Sequence, residues 1–458
     1  MMKFSICIPA MLCILLLPFS GTEAIAQSDR VYTLKECMEF ALANSADMEV
    51  QRANIDDDRI ARRDAILNAF TPSVDAQGNV YSNFGRTIDP ETNTYVSTTS
   101  FNNAFGVSAG ITLFNGFQAV NNMRIAKTAQ IMGLSEERQA ADKICLATIE
   151  AYYNVVYYTQ LADILKTQVE NAEDALHLAR RQEELGQKGY ADVVQLDADL
   201  ADRKYEWIQA VNKMKDAYVT LQDVMFWPAG DTLVIDVSFA DEGNADQTVD
   251  EPCSLDRLTE TAIASVPEVA IAKGNMQNAA YELKTAKWQL APSLNLYGGW
   301  STSYYTYPGQ AGYVPTPYWE QFRNNGGEYI QLTLRIPIFG RLAKYSNISR
   351  KKNELRRMSA EYEKTLRNIE SEVKRAVQDR DGASLAYLQA ERRSAVQEEA
   401  FELNRKKFEQ GLISSIEYQT ASGNYLKAKA ERLNALLQYR LKKKIVAYYG
   451  GIPYIEQE

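Results

Sequence analysis

The chain has 458 residues, with 50 lysines and arginines against 59 aspartates and glutamates, so its formal net charge is −9. This acidic balance argues against a nucleic-acid partner, because proteins that bind phosphate backbones usually carry a basic patch. Beyond residue 26 the cysteines are Cys37, Cys145 and Cys253, an odd and widely spaced set that does not indicate a disulfide framework.

The first residues have the layout of a secretory signal peptide. Lys3 supplies one cation, an apolar run extends from Ile6 to Phe19, and Ala24-Ile25-Ala26 is a small-residue cleavage site. We therefore expect residues 1–26 to be removed on export. No later stretch reaches the about 20 consecutive apolar residues of a transmembrane helix, so we expect strands to make any membrane crossing.

The rest of the chain reads as two similar halves. Thr71-Pro72-Ser73-Val74 is echoed by Ala291-Pro292-Ser293-Leu294, and Glu184-Leu185-Gly186 by Glu409-Gln410-Gly411. Since such landmarks keep the same order and nearly the same spacing, the sequence predicts a duplication. The predicted division is a first repeat at 27–230, an acidic linker at 231–252, a second repeat at 253–450 and a tail at 451–458.

After an initial helix, each half contains two stretches in which apolar and polar residues alternate, which is the pattern of strands with two different faces. These stretches predict β-hairpins at 73–114 and 293–339, with loops around 85–100 and 308–326. Each run is about a dozen residues, close to the roughly 9 to 11 of a tilted membrane strand. Aromatic residues gather near the ends of the runs, as in the girdles of outer-membrane barrels.

Two interpretations of these strands are open, a membrane barrel and a half-buried sheet in a soluble sandwich. Only two hairpins occur per chain, so no second sheet is available to cover an apolar face. Four strands cannot close a barrel alone, because barrels start at about 8 strands. The membrane interpretation therefore requires several copies of the chain.

Each hairpin is followed by a long segment without proline and with very little glycine. These segments predict helices from about 121 to 185 and from 344 to 410, each near 100 Å long at a rise of 1.5 Å per residue. Both stop at a glycine, Gly186 or Gly411, and a new helix starts a few residues later, at Asp192 or Glu417. The sequence thus predicts long helical hairpins at 115–228 and 341–449.

The second helices carry a heptad pattern. Apolar residues recur at alternating intervals of four and three, as in a coiled coil. The positions are Trp207, Val211, Met214, Tyr218, Leu221 and Met225 in the first half, and Leu426, Ala430, Leu433 and Leu437 in the second.

The duplicated landmarks, with Leu113-Phe114-Asn115-Gly116 and the two tip glycines, resemble the TolC-like family of outer-membrane efflux proteins over essentially the whole mature chain. The resemblance implies a mainly α fold with a membrane β-barrel. Long antiparallel helical hairpins would form an α-barrel tunnel in the periplasm, and a homotrimer with four strands per chain would build a twelve-stranded barrel.

The same resemblance implies an exit duct in the cell outer membrane, in contact with its lipid. The implied partners are a periplasmic adaptor (membrane fusion) protein and an inner-membrane pump. The duct would be a passive conduit of a tripartite efflux or type I secretion system, and the exported substrate, whether drug, metal or protein, would be selected largely by the pump.

The family pattern also implies site residues at the hairpin tips. Acidic residues just after each tip constrict the tunnel in that family, and the matching positions are Asp192 and Glu417. A ring of carboxylates favours cations. The alternative is that both residues only stabilise helix N-termini, by about 0.3 to 1 kcal/mol.

Candidate adaptor contacts are the tip residues Gly186, Gly189, Gly411, Leu412 and Ser414, although the glycines also suit a simple turn role. The best-known family member has an arginine two residues after the second tip glycine, which helps to hold its closed state. This chain has Ile413 there, so its closing contacts must differ.

Motifs of catalysis are missing from the sequence. His177 is the only histidine, and no phosphate-cradling glycine loop, HExxH pair or CxxC pair occurs. We therefore expect no enzyme activity, no cofactor and no bound metal. The competing functional hypothesis is a soluble periplasmic coiled-coil adaptor, which would have no need of a lipid-facing belt of strands.

Overall fold

The computed structural model describes residues 30–88, 93–238, 254–308 and 312–457. The predicted signal peptide and most of the predicted linker lie outside these ranges. Helices dominate, and the helices in chain order are α1 (Leu34–Asn44), α2 (Ala46–Phe70), α3 (Gln118–Glu184), α4 (Tyr190–Val224), α5 (Leu255–Ser265), α6 (Pro267–Trp288), α7 (Tyr318–Asn324), α8 (Ala343–Glu409) and α9 (Ser415–Tyr449). The strands are β1 (Val31–Tyr32), β2 (Ser73–Ile88), β3 (Tyr95–Phe114), β4 (Val234–Ile235), β5 (Ser293–Thr306) and β6 (Gly327–Arg335).

The initial helix of each half is divided into two. Thr33 begins α1 with a capping box, in which the Glu36 N–H donates to Thr33 Oγ1 and the Thr33 N–H donates to the Glu36 carboxylate. Ser45 then ends α1 and caps α2 through a bond from the Met48 N–H. In the second half, Pro267 begins α6, which suits proline because the first helical residue has no intrahelical partner for its N–H.

The four long strands form one antiparallel sheet in the order β2-β3-β5-β6. Its register places the predicted apolar positions of the four strands on one face, except at a bulge between Thr112 and Phe114, where Phe114 and not the predicted Leu113 lies opposite Leu294. One row across this face is Val74, Ala109, Gly298 and Ile330, and the next includes Ala76, Val107 and Trp300. The opposite face carries the polar set Asp75, Gln77, Asn79, Ser108, Ser301, Ser303, Gln331 and Thr333.

The hairpin ends differ from the prediction in three ways. β2 continues to Ile88 and β3 begins at Tyr95, so the first loop is shorter than 85–100. β6 ends at Arg335, which leaves Ile336 and Ile338 beyond the strand. Helix α7 lies within the second loop, where the sequence indicated only irregular structure.

The two helical hairpins have matching dimensions. α3 and α8 have 67 residues each, and α4 and α9 have 35 residues each. Of the predicted heptad positions, Leu221, Met225, Leu433 and Leu437 are buried, and all four belong to a core cluster with residues of α3. In the described ranges, no helix combines the length and the apolar character needed to cross a membrane.

A core surrounds the middle of α3, roughly halfway along its length. Tyr152 is almost fully buried there, and its hydroxyl donates to the Asp236 carbonyl oxygen at 2.5 Å, which ties α3 to the segment after β4. β4 pairs in parallel with β1, so the start of the chain and the segment that precedes the second half meet at this level. Cys37 and Cys145 are buried in the same core as free thiols.

Candidate functional site at the hairpin tips

The first tip is the turn 185–189 between α3 and α4, and the second tip is the turn 410–414 between α8 and α9. Both turns use the same hydrogen bonds. In the first tip, the Gly186 N–H donates to the Glu183 carbonyl and the Gln187 N–H to the Gln182 carbonyl. In the second tip, the Gly411 N–H donates to the Phe408 carbonyl and the Leu412 N–H to the Lys407 carbonyl. This is the Schellman arrangement, in which the last helical carbonyls find partners beyond the helix end.

Both tip glycines adopt a left-handed conformation with φ of +73°. A residue with a Cβ pays roughly 1 to 2 kcal/mol for this conformation, so the turn explains why glycine occupies both positions. Gly189 is the N-cap of α4 in an extended conformation, which any residue can adopt. Open space surrounds the Cα of Gly186, Gly189 and Gly411, so all three are accessible to another molecule.

Glu417 lies in the first turn of α9 and completes a capping box with Ser414. The Glu417 N–H donates to Ser414 Oγ at 3.2 Å, and the Ser414 N–H donates to Glu417 Oε2 at 3.1 Å. The local role that we considered for this carboxylate is therefore present. The Ser414 hydroxyl oxygen is the acceptor of this N-cap bond, and the residue is exposed.

Asp192 occupies the equivalent first turn of α4, and it has a partner on the other hairpin. Ser415 Oγ donates to Asp192 Oδ1 at 3.0 Å, although the two residues are 223 positions apart. One turn further from the tip, Gln195 and Gln419 exchange bonds, because each side-chain amide nitrogen donates to an oxygen of the other residue. These bonds join the two tips within one chain.

Lys188 adds a second link between the tips. Its ammonium nitrogen lies 3.7 Å from the centroid of the Phe408 ring, within the range of a cation–π contact. That nitrogen is buried, and the described part of the chain offers it no hydrogen-bond acceptor. Burial lowers the pKa of Lys188, and the Asp192 carboxylate opposes this shift.

An apolar cluster lies directly behind the tips. It combines residues of all four long helices: Ala175, Leu176, Ala179, Val193, Leu196, Phe401, Phe408 and Tyr418. Phe408 and Tyr418 stack with their ring centroids 4.6 Å apart. Ile413, two residues after the second tip glycine, packs against this cluster.

Sequence reasoning identified Asp192 and Glu417 but missed their surroundings. The structure adds Ser415, Lys188 and Phe408 as the groups that connect one tip to the other. Besides Leu412, it also shows exposed apolar side chains in or beside the two tip turns, namely Leu185, Tyr190 and Ile416. Their only sequence signal was an apolar residue beside a turn, which is common in any helical protein.

The single histidine and possible metal ligands were the other features considered in the sequence. His177 is exposed on α3. Among the described residues, no three His, Cys, Asp or Glu side chains are grouped so that they could hold a metal ion.

Comparison with known sequences gives one family. The model of the outer membrane efflux protein (OEP) family matches residues 38–225 and 258–444. The outer membrane efflux protein BepC of Brucella suis biovar 1 (strain 1330) is 24% identical over 280 residues. That match covers 60% of this chain, and the chain spans only 56% of the length of BepC.

Solved structures agree with the fold. The structure of CusC superimposes with a TM-score of 0.77 at 15% identity, and the match covers 91% of each chain. The Campylobacter jejuni outer membrane channel CmeC gives a TM-score of 0.72 at 18% identity, over 93% of this chain and 87% of CmeC. The predicted fold class, long helical hairpins with four membrane-type strands per chain, is thereby confirmed.

Proposed function

Because the chain belongs to the outer membrane efflux protein family, we propose that it is the outer-membrane exit duct of a tripartite efflux or type I secretion system. In this proposal the chain is a passive conduit, driven by an inner-membrane pump through a periplasmic adaptor protein. The observation that carries the proposal is that one chain combines two structures. The first is a sheet with one apolar and one polar face, and the second is a pair of equally long helical hairpins.

The sheet supports a homotrimer. Its edge strands β2 and β6 have no partner on their outer sides within the described residues. Unpaired edges do not occur in hydrocarbon, so each edge must pair with another copy. Three chains with four strands each would give a closed barrel of twelve strands, above the minimum of about 8.

The exposed apolar face disfavours the competing adaptor hypothesis. Ile330 is 87% exposed in the single chain, and Leu332 and Leu334 beside it are also exposed. A soluble adaptor would hold these side chains in water, whereas a barrel would place them against lipid at roughly 25 cal/mol gained per Å² of apolar surface removed from water.

The direct test combines native mass with conductance. We expect detergent extraction of isolated outer membranes to give a particle of about three chains, and we expect the purified particle to conduct ions in a planar lipid bilayer. A monomer recovered from the periplasm without detergent would support the adaptor hypothesis instead.

We further propose that Asp192 and Glu417 line the aperture at the periplasmic end. In a trimer each tip would contribute its carboxylate three times, and such rings concentrate cations. The proposal is compatible with the local bonds, because the cap bond from Ser414 uses Glu417 Oε2 and the bond from Ser415 uses Asp192 Oδ1, one oxygen of each carboxylate.

Two substitutions separate the pore role of Glu417 from its capping role. Glu417→Gln removes the charge but keeps a side chain that serves a capping box, whereas Glu417→Ala removes both. If the carboxylate faces the pore, both variants should lose cation selectivity in planar bilayers to a similar extent. If it serves the cap alone, Glu417→Gln should conduct like the native channel and only Glu417→Ala should lose stability, by about 0.5 to 2 kcal/mol as for other lost caps.

The outer surface of the tips is our proposed contact for the adaptor. It consists of the accessible turn residues Gly186, Gly189, Gly411, Leu412 and Ser414, and the exposed apolar side chains Leu185, Tyr190 and Ile416 extend it. Apolar side chains around an open turn suit docking of a partner helix end, because their burial would remove apolar surface from water.

A further inference from the structure

Helix α7 packs on the apolar face of the sheet, at the end farthest from the helical hairpins. The Phe322 ring lies 5.8 Å from Trp300 and 6.0 Å from Phe105, measured between ring centroids. Tyr318 contacts Tyr304 in the same way at 4.8 Å. Trp300, Phe105 and Tyr304 all belong to the apolar face by register, so α7 lies outside the proposed pore.

Hydrogen bonds hold α7 where β6 no longer pairs with β5. The β5-β6 ladder ends at the pair Ser301 and Gly327, which leaves the last residues of β5 without that neighbour. The buried Gln321 side chain takes its place, since it accepts from the Tyr305 N–H at 3.1 Å and donates to the Tyr305 carbonyl at 2.9 Å. Asn325 Nδ2 donates to the Ser303 carbonyl in the same manner.

A third bond fixes the helix from the sheet side. Thr302 Oγ1 donates to the Phe322 carbonyl at 2.6 Å, and Thr302 is buried beneath α7. The position of the helix is therefore set by its contacts with the sheet. Side chains that α7 turns away from the sheet are held at a defined height above the strands.

Trp319 is the large apolar side chain that α7 leaves exposed, beside the exposed charged residues Glu320 and Arg323. It is 70% exposed in the single chain, while its ring edge contacts Phe322 and Tyr318. At the same end of the apolar face, the first hairpin exposes Phe84 and Tyr95. Tryptophan and tyrosine are the residues enriched where a membrane meets water, because their rings are apolar and their N–H or O–H groups reach water.

We propose that α7 is an interfacial anchor, which places the Trp319 ring between the acyl chains and the head groups of the outer leaflet. The occupant of this surface is lipid, because α7 continues the apolar face that the strands present to the bilayer. The proposal rests on the proposed barrel but adds a contact that the strands do not make. Its consequence is that a loop helix, together with the strand ends, sets the depth of the channel in the membrane.

Fluorescence quenching by brominated phospholipid tests the proposal. The full-length protein would carry phenylalanine at Trp207, Trp227, Trp288 and Trp300, so that Trp319 is the only tryptophan, and it would be excited at a wavelength that tyrosine does not absorb. It would be reconstituted in phosphatidylcholine vesicles with bromine near the head-group end of the acyl chain, or near the chain terminus. We expect a loss of emission in both, with the larger loss from the shallow bromine.

The matched control is the chain that keeps only Trp207, which lies on α4 far from the strands. Its emission should not change with either lipid. Conductance measured on the same vesicles reports whether the channel has formed, so a failed barrel is distinguished from a failed anchor. Conducting vesicles in which neither bromine quenches Trp319 would overturn the proposal, and so would stronger quenching by the deep bromine.

The single substitution Trp319→Phe provides a second measurement that does not depend on the fourfold replacement. In the otherwise native chain, it should remove a component of the emission that shallow bromine quenches. An unchanged quenchable fraction in this variant would also overturn the proposal.

Discussion

Replacing Phe408 by alanine is expected to loosen the tips and to destabilise the folded chain by about 3 to 5 kcal/mol, the usual cost of emptying a buried phenylalanine site. Phe408 is only 1% exposed, and it contacts groups from both hairpins, stacking on Tyr418 and supporting the Lys188 ammonium. Its loss would leave a cavity and an ammonium without its aromatic partner. We therefore expect a larger leak conductance in planar bilayers and faster proteolysis at the tips.

Leu412→Ala is the matched control for this experiment. Leu412 also lies at the second tip, four residues further along, but its side chain is exposed. Its truncation should leave the conductance of the purified channel unchanged, because surface substitutions usually alter stability by less than about 0.5 kcal/mol. Equal leak conductance in Phe408→Ala and the native channel would show that the buried cluster does not hold the tips together.

Ile330→Arg is expected to block assembly in the outer membrane. Ile330 lies near the middle of the edge strand β6, on its apolar face and opposite Gly298, and its side chain has no cover within the described chain. An arginine on the lipid face near the bilayer centre costs about 2 to 4 kcal/mol, and a trimer would meet that cost three times. Immunoblots of outer-membrane fractions should show little trimer and more degraded or periplasmic chain.

The neighbouring substitution Gln331→Arg provides the control. Gln331 is the next residue in β6, so its side chain points to the polar face. The same charge there should be tolerated, with trimer levels close to those of the native protein and with an altered ion selectivity at most. If both arginine variants assembled equally well, the assignment of the two sheet faces would be wrong.

The sequence predicted those features whose signal is periodic. Alternation in 73–84 and 330–338 correctly assigned the two faces of β2 and β6, because strand geometry puts successive side chains on opposite sides. Proline-free stretches correctly located α3 and α8 to within a few residues. For Glu417 the sequence indicated a position at a helix N-terminus, and the structure adds the capping box that it forms there with Ser414.

Features that depend on contacts between distant residues were missed. Helix α7 has seven residues, about two turns, which is too short for its apolar residues to show a recognisable helical repeat. It forms where the side chain of Gln321 can replace the missing strand beside Tyr305. The bonds between the tips connect residues more than 200 positions apart, such as Asp192 and Ser415. Neither residue reveals its partner locally, so only the folded chain shows which side chains meet.

The breaks between α1 and α2 and between α5 and α6 were also missed, although local signals existed. Ser45 is a preferred N-cap residue, and Pro267 is a preferred first residue of a helix. Both signals were outweighed by the continuous apolar pattern of the flanking helices.

The equal lengths of the two helical hairpins limit how this chain can change. α3 and α8 both have 67 residues, so their ends lie about 100 Å from the strands at nearly the same level. One residue inserted into α3 alone would raise its tip by about 1.5 Å and rotate every later side chain by about 100° around the helix axis. Insertions and deletions must therefore occur together in all four long helices, so that the two tips stay at the same level. They must also come in steps close to seven residues, so that the packing faces of the helices stay aligned.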